Sequence, residues 1–271
     1  MIINTNIAAT MTANSMKENQ RTMENTMERL STGKRINSAS DDAAGLAIET
    51  RMTSQIRGLS QATRNANDGI SMLQTADGAL GQGNEILQRM RELSVQSTTG
   101  TLGVKDIANL DQEFAALASE IDRLATDMTF NNVAILASTA NYNIMVGADE
   151  ADVIVISMTD SRLPDELRTL MIPGTGFGVN SDSMIQTLDF MIEANVGSRV
   201  ALGASINRLE YTVDNLNTTI LNTQAAKSQI VDADYASETT ELARTQIISQ
   251  ASTAMLSQAN QQSQAVLALL K

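Results

Sequence analysis

The sequence predicts a mainly α-helical protein, an elongated antiparallel helical bundle or coiled coil formed by the N-terminal and C-terminal halves, with a small β-hairpin region between them. Three observations point to this fold class. Apolar residues recur at alternating steps of three and four in three separate stretches. Two β-prone segments lie in the middle of the chain. Only 3% of the 271 residues are aromatic and Trp is missing, which disfavours a thick globular core.

The first predicted helix carries a heptad seam over residues 52–80. Its apolar or small positions are Met52, Ile56, Leu59, Thr63, Ala66, Ile70, Leu73 and Leu80. Asp77 occupies the remaining slot of the repeat. We expect this helix to run through the nineties and to end before the helix-breaking cluster that contains Gly100 and Gly103.

Two acidic residues lie where this helix is expected to begin. Asp41 and Asp42 would lie in its first turn, where their carboxylates face the positive end of the helix dipole, with Ser40 as the candidate N-cap. Paired acids of this kind, here and at Asp149 and Glu150, are also compatible with metal ligation. Helix-start and turn roles explain both pairs better, so no metal site is predicted.

Two further seams predict the partners of the first helix. One comprises Ile107, Leu110, Phe114, Leu117, Ile121, Leu124 and Met128 and closes at the turn-prone Asn131 and Asn132. The other comprises Leu202, Ile206, Leu209, Val213, Leu216 and Ile220. A narrow apolar stripe is buried only against another helix, so the three seams predict one bundle that contains both halves of the chain.

The pattern changes between the second and third seams. Residues 142–146 and 153–158 are β-prone and flank a short polar segment, which predicts a β-hairpin. Pro164 and Pro173 follow in a Gly-containing stretch that we expect to be loop, with at most a short helix after Pro164. Helical patterning resumes by about Ser183.

Both ends of the chain have few apolar residues for their length. These residues are too sparse over 1–35 and 236–271 to offset the entropy of ordering the segments. Both ends are therefore predicted to be disordered in the monomer and to order on assembly. The residues expected to make the assembly contacts are Ile3, Ile7, Met11, Met23, Met27, Leu30, Leu242, Ile247, Met255, Leu256, Val266, Leu269 and Leu270.

Composition disfavours several function classes. The chain has neither His nor Cys, so it lacks the usual general base, the thiolate nucleophile and the commonest zinc ligand. We therefore predict no enzymatic activity, no catalytic residue and no cofactor. The formal charge of -12 disfavours nucleic-acid binding, which depends on Lys and Arg. No apolar run approaches the ~20 residues of a membrane span, so membrane insertion is not expected.

One segment has an unusual order of small, polar and turn-forming residues. It is LSTGKRINSASDDAAGLAI, residues 30–48, called the signature segment below. Three other segments follow in the C-terminal half, namely LGASINRLE at 202–210, DADYASE at 232–238 and QANQQSQAVLALLK at the end. In content, order and spacing they resemble bacterial flagellin, and the resemblance covers nearly the whole chain except roughly residues 138–180. The short middle resembles family members that lack large outer domains.

The resemblance implies a domain organisation. Residues 1–35 and 236–271 would be the inner core helices of a filament. Residues 36–137 and 181–235 would form the conserved helical bundle domain outside them. Residues 138–180 would supply a β-hairpin and loop in place of the variable outer domains of longer relatives.

The same resemblance implies a function. The chain would be the structural subunit that polymerises into the helical filament of the bacterial flagellum, for motility. Its partners would be further copies of itself, an export chaperone, and the cap and hook-associated proteins. Its N-terminal segment lacks the basic flank and apolar run of a cleavable signal peptide, which alone would indicate the cytoplasm. The resemblance instead implies export through the flagellum's own channel without a cleaved signal, to an extracellular filament.

Two alternatives remain open from the sequence. The hook–filament junction protein has flagellin-like ends and would form a short adaptor layer. A soluble intracellular coiled-coil protein would match the missing signal peptide. Fractionation separates these classes, because filament protein shears off cells whereas an intracellular coiled coil stays inside.

One segment also resembles a surface that animal innate receptors recognise on many flagellins. It is QRMRELSVQS, residues 88–97. By position, the contact residues would be Arg89 and Leu93, with Glu113 on the next helix. The alternative is structural, with Leu93 in a helix seam and the two charged residues in ordinary ionic contacts.

Overall fold

The computed structural model describes residues 6–99, 101–149, 151–163 and 181–268. Its helices are α1 (Ile7–Thr32), α2 (Ala43–Ser97), α3 (Val104–Asp127), α4 (Ser181–Val231) and α5 (Tyr235–Ala268). Its strands are β1 (Thr129–Phe130), β2 (Val133–Ala134), β3 (Ala140–Met145) and β4 (Val153–Met158). The mainly helical class with a small β region is confirmed. The loop and short helix predicted around Pro164 and Pro173 lie outside the described residues.

The chain divides into two compact units. Unit 1 contains residues 1–56 and 221–271, and unit 2 contains residues 57–220. The boundaries between them fall inside α2 and α4. Both predicted inner segments belong to unit 1, and their separation from the bundle as a domain stays a prediction.

The start of α2 differs in detail from its sequence prediction. Asp42, not Ser40, is the N-cap, because its Oδ1 accepts the backbone N–H groups of Ala44 at 3.1 Å and Gly45 at 2.9 Å. The Ser40 hydroxyl instead lies 2.7 Å from the hydroxyl of Ser38. A carboxylate at the N-cap gains from the helix dipole as well as from its hydrogen bonds, which explains the preference.

Asp41 stabilises the turn before α2. Its Oδ2 accepts the backbone N–H groups of Asn37 at 3.1 Å and Ser38 at 2.9 Å. The hydrogen bonds from these groups and from the Ser38 hydroxyl lower the pKa of the Asp41 carboxyl below its usual value. The two adjacent acids therefore order two consecutive stretches of backbone.

Residues of all three seams contribute to the core of unit 2. Leu59, Ala66, Leu73 and Leu80 of α2, Phe114 and Ile121 of α3, and Leu202, Leu209 and Leu216 of α4 are all buried. Asp77, the polar residue in the α2 seam, accepts a hydrogen bond from Arg199 Nε on α4 at 2.7 Å. Arg91 of α2 pairs with Asp189 of α4 at 2.5 Å. From the first pair to the second, the residue numbers rise along α2 and fall along α4. Within unit 2, α2 and α4 are therefore antiparallel.

The β region consists of two hairpins. In the predicted one, β3 pairs antiparallel with β4, and Tyr142 lies opposite Ile156. The other hairpin was not predicted and joins β1 to β2. Asn131 and Asn132 form its two-residue turn with φ of 47° and 67°, the left-handed backbone that Asn tolerates in such turns. The sequence indicated the turn, but strands of two residues are too short to produce a recognisable pattern.

Two further properties concern function. No helix within the described residues is long and apolar enough to cross a membrane. In the same part of the chain, His, Cys, Asp and Glu side chains form no cluster of three or more that could hold a metal ion.

Candidate assembly surface

A glycine ends the first helix of unit 1. Gly33, inside the signature segment, adopts a left-handed backbone with φ of 70° and donates its N–H to Arg29 O at 2.8 Å. Residues with a Cβ adopt this conformation at a cost, so Gly is the favoured residue here. The turn directs the following backbone along the segment between α4 and α5.

The signature segment pairs through the backbone with residues 231–233, where the segment DADYASE begins. Ala233 N–H donates to Gly33 O at 3.0 Å, and Arg35 N–H donates to Val231 O at 2.6 Å. A β-bridge lies between these two bonds. Ile36 and Val231 are buried at this point. We call residues 33–36 with 230–233 the strap, because they join the N-terminal and C-terminal halves of unit 1.

Charged side chains reinforce the strap from α2. Glu49 lies 3.4 Å from the Lys34 ammonium and 3.6 Å from the Lys227 ammonium. Lys227 also donates to the Thr53 hydroxyl at 2.8 Å. One largely buried carboxylate thus faces two cations, one from each half of the chain.

The two terminal helices meet beside the strap. The Tyr235 hydroxyl, at the start of α5, donates to Leu30 O at 2.9 Å. Arg29 of α1 lies 3.4 Å from the Glu238 carboxylate of α5. These contacts fix the strap ends of α1 and α5 to each other.

Further along, α1 and α5 pair as antiparallel helices through polar groups. Asn19 donates from its amide to Thr245 O at 2.7 Å, and Asn6, the N-cap of α1, donates to Ala259 O at 3.2 Å. Among the residues of these two helices whose burial is described, 7–32 and 235–261, Thr26 and Thr245 are buried. An interior of this kind leaves much of the apolar surface of both helices facing outward.

The predicted assembly residues divide according to exposure. Five of them are 54–66% exposed, namely Ile7, Met11, Met27, Ile247 and Met255, and we call these five the assembly surface. Four others, Met23, Leu30, Leu242 and Leu256, are half-buried. Val266 lies within α5, and Ile3, Leu269 and Leu270 lie outside the described residues. Their roles in assembly stay predictions.

The residues of the predicted receptor contact lie in unit 2. Arg89 donates from Nε and a terminal nitrogen to Glu113 Oε1 at 3.0 Å and 2.8 Å, which raises the pKa of the guanidinium. Leu93 is fully buried in an apolar cluster that contains side chains of α2, α3 and α4. The structure thus brings the two charged residues together at the surface and leaves Leu93 in the core. Receptor contact stays a prediction, and an Arg89→Ala monomer that activates such a receptor normally would count against it.

Sequence reasoning missed the residues of the strap and Glu49, which contacts the strap from α2. Gly33, Arg35 and Glu49 each make specific contacts, yet none was a candidate. The available signal was the unusual order of residues in the signature segment and in DADYASE. It marked both segments as special without indicating that they pair, because partners almost 200 residues apart cannot be read from local patterns.

Comparison with protein families gives two matches. The model described as the bacterial flagellin N-terminal helical region matches residues 3–141. The model described as the bacterial flagellin C-terminal helical region matches residues 185–270. Together they cover both parts of the strap and all of α1 and α5.

Individual proteins give the same result. The flagellin of Halalkalibacterium halodurans is 46% identical over 272 residues that cover 100% of both chains. The crystal structure of Bacillus cereus flagellin has a TM-score of 0.50 and 30% identity, covering 60% of this chain and 94% of that one. A putative flagellar hook-associated protein from Vibrio parahaemolyticus has a TM-score of 0.61 over 71% of this chain and 100% of its own. Its identity is only 14%, so this last likeness concerns the fold alone.

Proposed function

The chain belongs to the bacterial flagellin family and is a structural subunit of the flagellar filament, and we propose that it polymerises through the assembly surface on α1 and α5. The observation that carries this proposal is the exposure of five large apolar side chains on two helices that are already paired. Large exposed apolar patches on proteins mark interaction sites. Further copies of the chain are the partner that family membership supports.

We further propose that folding of the terminal helices is coupled to assembly. Within the residues whose burial is described, α1 and α5 bury no large apolar side chain fully, and each net hydrogen bond between them contributes only about 1 kcal/mol. Apolar burial that would hold the helices in place is supplied by neighbouring copies. The strap then acts as the fixed end from which both helices become ordered.

The direct test is electron microscopy of purified monomer after addition of ammonium sulfate, with and without short filament seeds. This salt strengthens apolar burial, so we expect long, regular filaments that grow from the seeds. Persistent monomers under all conditions would contradict the proposal. Short capping assemblies would favour a hook–filament junction protein, the alternative with flagellin-like ends.

A deletion separates the roles of the two units. Removing residues 236–271 should abolish polymerisation, because it removes all of α5 except its first residue. Circular dichroism should still show the helices of unit 2, whose core contains none of these residues. A truncated chain that forms native filaments would refute this division of roles.

Point substitutions test the assembly surface more sharply. Ile247→Ser should raise the critical concentration for assembly about tenfold, the effect of losing roughly one buried aliphatic contact. Val155, 53% exposed on β4, is the matched control outside the terminal helices. Val155→Ser should change the critical concentration less than twofold. Equal effects of the two substitutions would show that the assembly contacts are not concentrated on the terminal helices.

Export and the remaining partners belong to the same proposal. By family membership, the chain is exported through the flagellum's own channel without cleavage and contacts an export chaperone, the cap and hook-associated proteins. Sheared filament protein should then still contain the N-terminal residues 2–17, which mass spectrometry of its peptides detects. Recovery of the chain only from the cytoplasm would instead favour an intracellular coiled-coil protein. The family is one of structural proteins, and we propose no catalytic role for this chain.

A further inference from the structure

Methionines are distributed unevenly between the terminal helices and the core of unit 2. Three of the five residues of the assembly surface are methionines: Met11, Met27 and Met255 are 66%, 54% and 62% exposed. In contrast, the core of unit 2 contains four methionines that are at most 7% exposed, namely Met72, Met90, Met158 and Met184. Oxidants in water therefore reach the thioethers of the assembly surface and not those of the core.

Hydrogen peroxide oxidises an exposed methionine thioether to the sulfoxide. Hydrogen peroxide transfers one oxygen to the methionine sulfur, its O–O bond breaks, and the other oxygen leaves as water. The sulfur loses two electrons and the peroxide gains them. The product, methionine sulfoxide, is polar where the thioether was apolar, and it disrupts surfaces that depend on methionine packing.

We propose that Met11, Met27 and Met255 form an oxidation-sensitive modification site that controls entry of the monomer into the filament. The proposal rests on the proposed function, because it assigns these three side chains to contacts between copies. Oxidation at these positions makes the monomer incompetent for assembly and leaves unit 2 intact. Enzymatic reduction of the sulfoxides restores it.

Assembly would also protect the site. A thioether packed against a neighbouring copy is withdrawn from water and from dissolved peroxide. The free monomer is therefore the vulnerable form, and subunits already in the filament keep their thioethers. This difference in oxidation between monomer and filament distinguishes the proposal from general oxidative damage, which would not depend on the assembly state.

The first experiment measures oxidation at each position. Monomer and preformed filament are treated with dilute hydrogen peroxide, digested, and analysed by mass spectrometry. In the monomer, we expect Met11, Met27 and Met255 to be oxidised at least tenfold faster than Met90 and Met184. In the filament, the oxidation rates of these three methionines should fall at least fivefold. Equal rates in monomer and filament would overturn the proposal.

The second experiment measures the consequence for assembly. Peroxide-treated wild-type monomer should have a critical concentration at least tenfold above that of untreated monomer. The combined variant Met11→Leu, Met27→Leu and Met255→Leu cannot form these sulfoxides, so treatment should change its own critical concentration less than twofold, whatever its starting value. Met145, 40% exposed on β3, provides the control: Met145→Leu should remain as sensitive to peroxide as the wild type.

The outcomes separate this proposal from the one on which it rests. If untreated wild-type monomer fails to assemble, the proposed function fails. If untreated monomer assembles and oxidised monomer assembles equally well, only the oxidation site is refuted. If the triple Leu variant does not assemble, methionine sulfoxide reductase with a thiol reductant is added to oxidised wild type, and failure to restore assembly overturns the proposal.

Discussion

Asp41 and Asp42 are neighbours with the same side chain and different roles. Asp42 caps α2, whereas Asp41 holds the turn that precedes it. Gly45, which follows in the first turn, lies so close that an added Cβ would be 2.5 Å from both an Asp42 oxygen and the Ile36 side chain. The signature segment is therefore fixed residue by residue by hydrogen bonds and close packing.

The cap makes a quantitative prediction. Asp42→Ala should lower the free energy of unfolding by about 1 kcal/mol, because two N–H groups lose their acceptor. Ser40→Ala is the matched control and should change it by less than about 0.5 kcal/mol, the usual effect of a surface substitution. Denaturant unfolding followed by circular dichroism measures both. A larger effect at Ser40 than at Asp42 would contradict the assignment of the cap.

The turn at Asp41 predicts a dependence on pH. The folded-state pKa of Asp41 lies below the usual 3.8, so its contribution to stability is present above the unfolded-state pKa and is lost as pH falls through the folded-state pKa. Asp41→Asn should therefore be less stable than wild type near neutral pH, and the difference should shrink at acidic pH below the usual 3.8. Denaturant midpoints at both pH values check this. A difference that persists unchanged in acid would exclude the carboxylate as its cause.

At the scale of elements, α2 shows that small residues can matter as much as the apolar seam. Ala62, Gly69, Ala76 and Gly83 recur every seventh residue and are all buried. A Cβ at Gly69 would lie 3.3 Å from the Ile144 side chain of β3. The small size of the residues on this stripe lets the hairpin and α4 approach the α2 backbone closely.

Two glycines of α2 test that conclusion. Gly69→Leu should destabilise the protein by about 1–3 kcal/mol, because the added side chain overpacks the contact with β3 and α4. Gly78 has no atom within 4 Å of the added Cβ position, so Gly78→Leu should stabilise α2 by about 0.5–1 kcal/mol through helix propensity. Thermal unfolding of the monomer compares them. Stabilisation by both substitutions would show that the hairpin does not restrict Gly69.

At the scale of the whole molecule, the strap links positions that are far apart in sequence. Residues 33–36 and 230–233 bring the two ends of the chain together, so α1 and α5 leave the same point as a pair. Since few apolar side chains are buried between these helices, their local stability should be lower than that of the unit 2 core.

Hydrogen exchange tests this difference. In the monomer, backbone amides of α1 and α5 should exchange at least tenfold faster than those of α2 around Leu73. In the filament, the terminal amides should become as protected as those of the core, because neighbouring copies cover the assembly surface. Mass spectrometry after timed exposure to deuterated water measures both states. Equal protection in the monomer would contradict coupled folding and assembly.

The sequence determined the elements and much of their burial. The seams at Leu73, Phe114 and Leu209 were predictable because helical periodicity is a local property that records which face is buried. The β3–β4 hairpin was predictable because its two β-prone segments and the polar turn between them are also local features of the sequence. The β1–β2 hairpin and the choice of Asp42 over Ser40 as the cap were not, because both depend on backbone geometry at single residues.

Only the tertiary structure decided which segments meet. It pairs the signature segment with residues 230–233, and it brings Asp77 into contact with Arg199. It also buries Leu93 and leaves Arg89 and Glu113 at the surface. It also showed which apolar residues of α1 and of the described part of α5 are half-buried and which are mostly exposed. The reason is physical: periodicity fixes a residue's direction around its own helix, but its partner depends on how the chain folds back on itself over long distances in sequence.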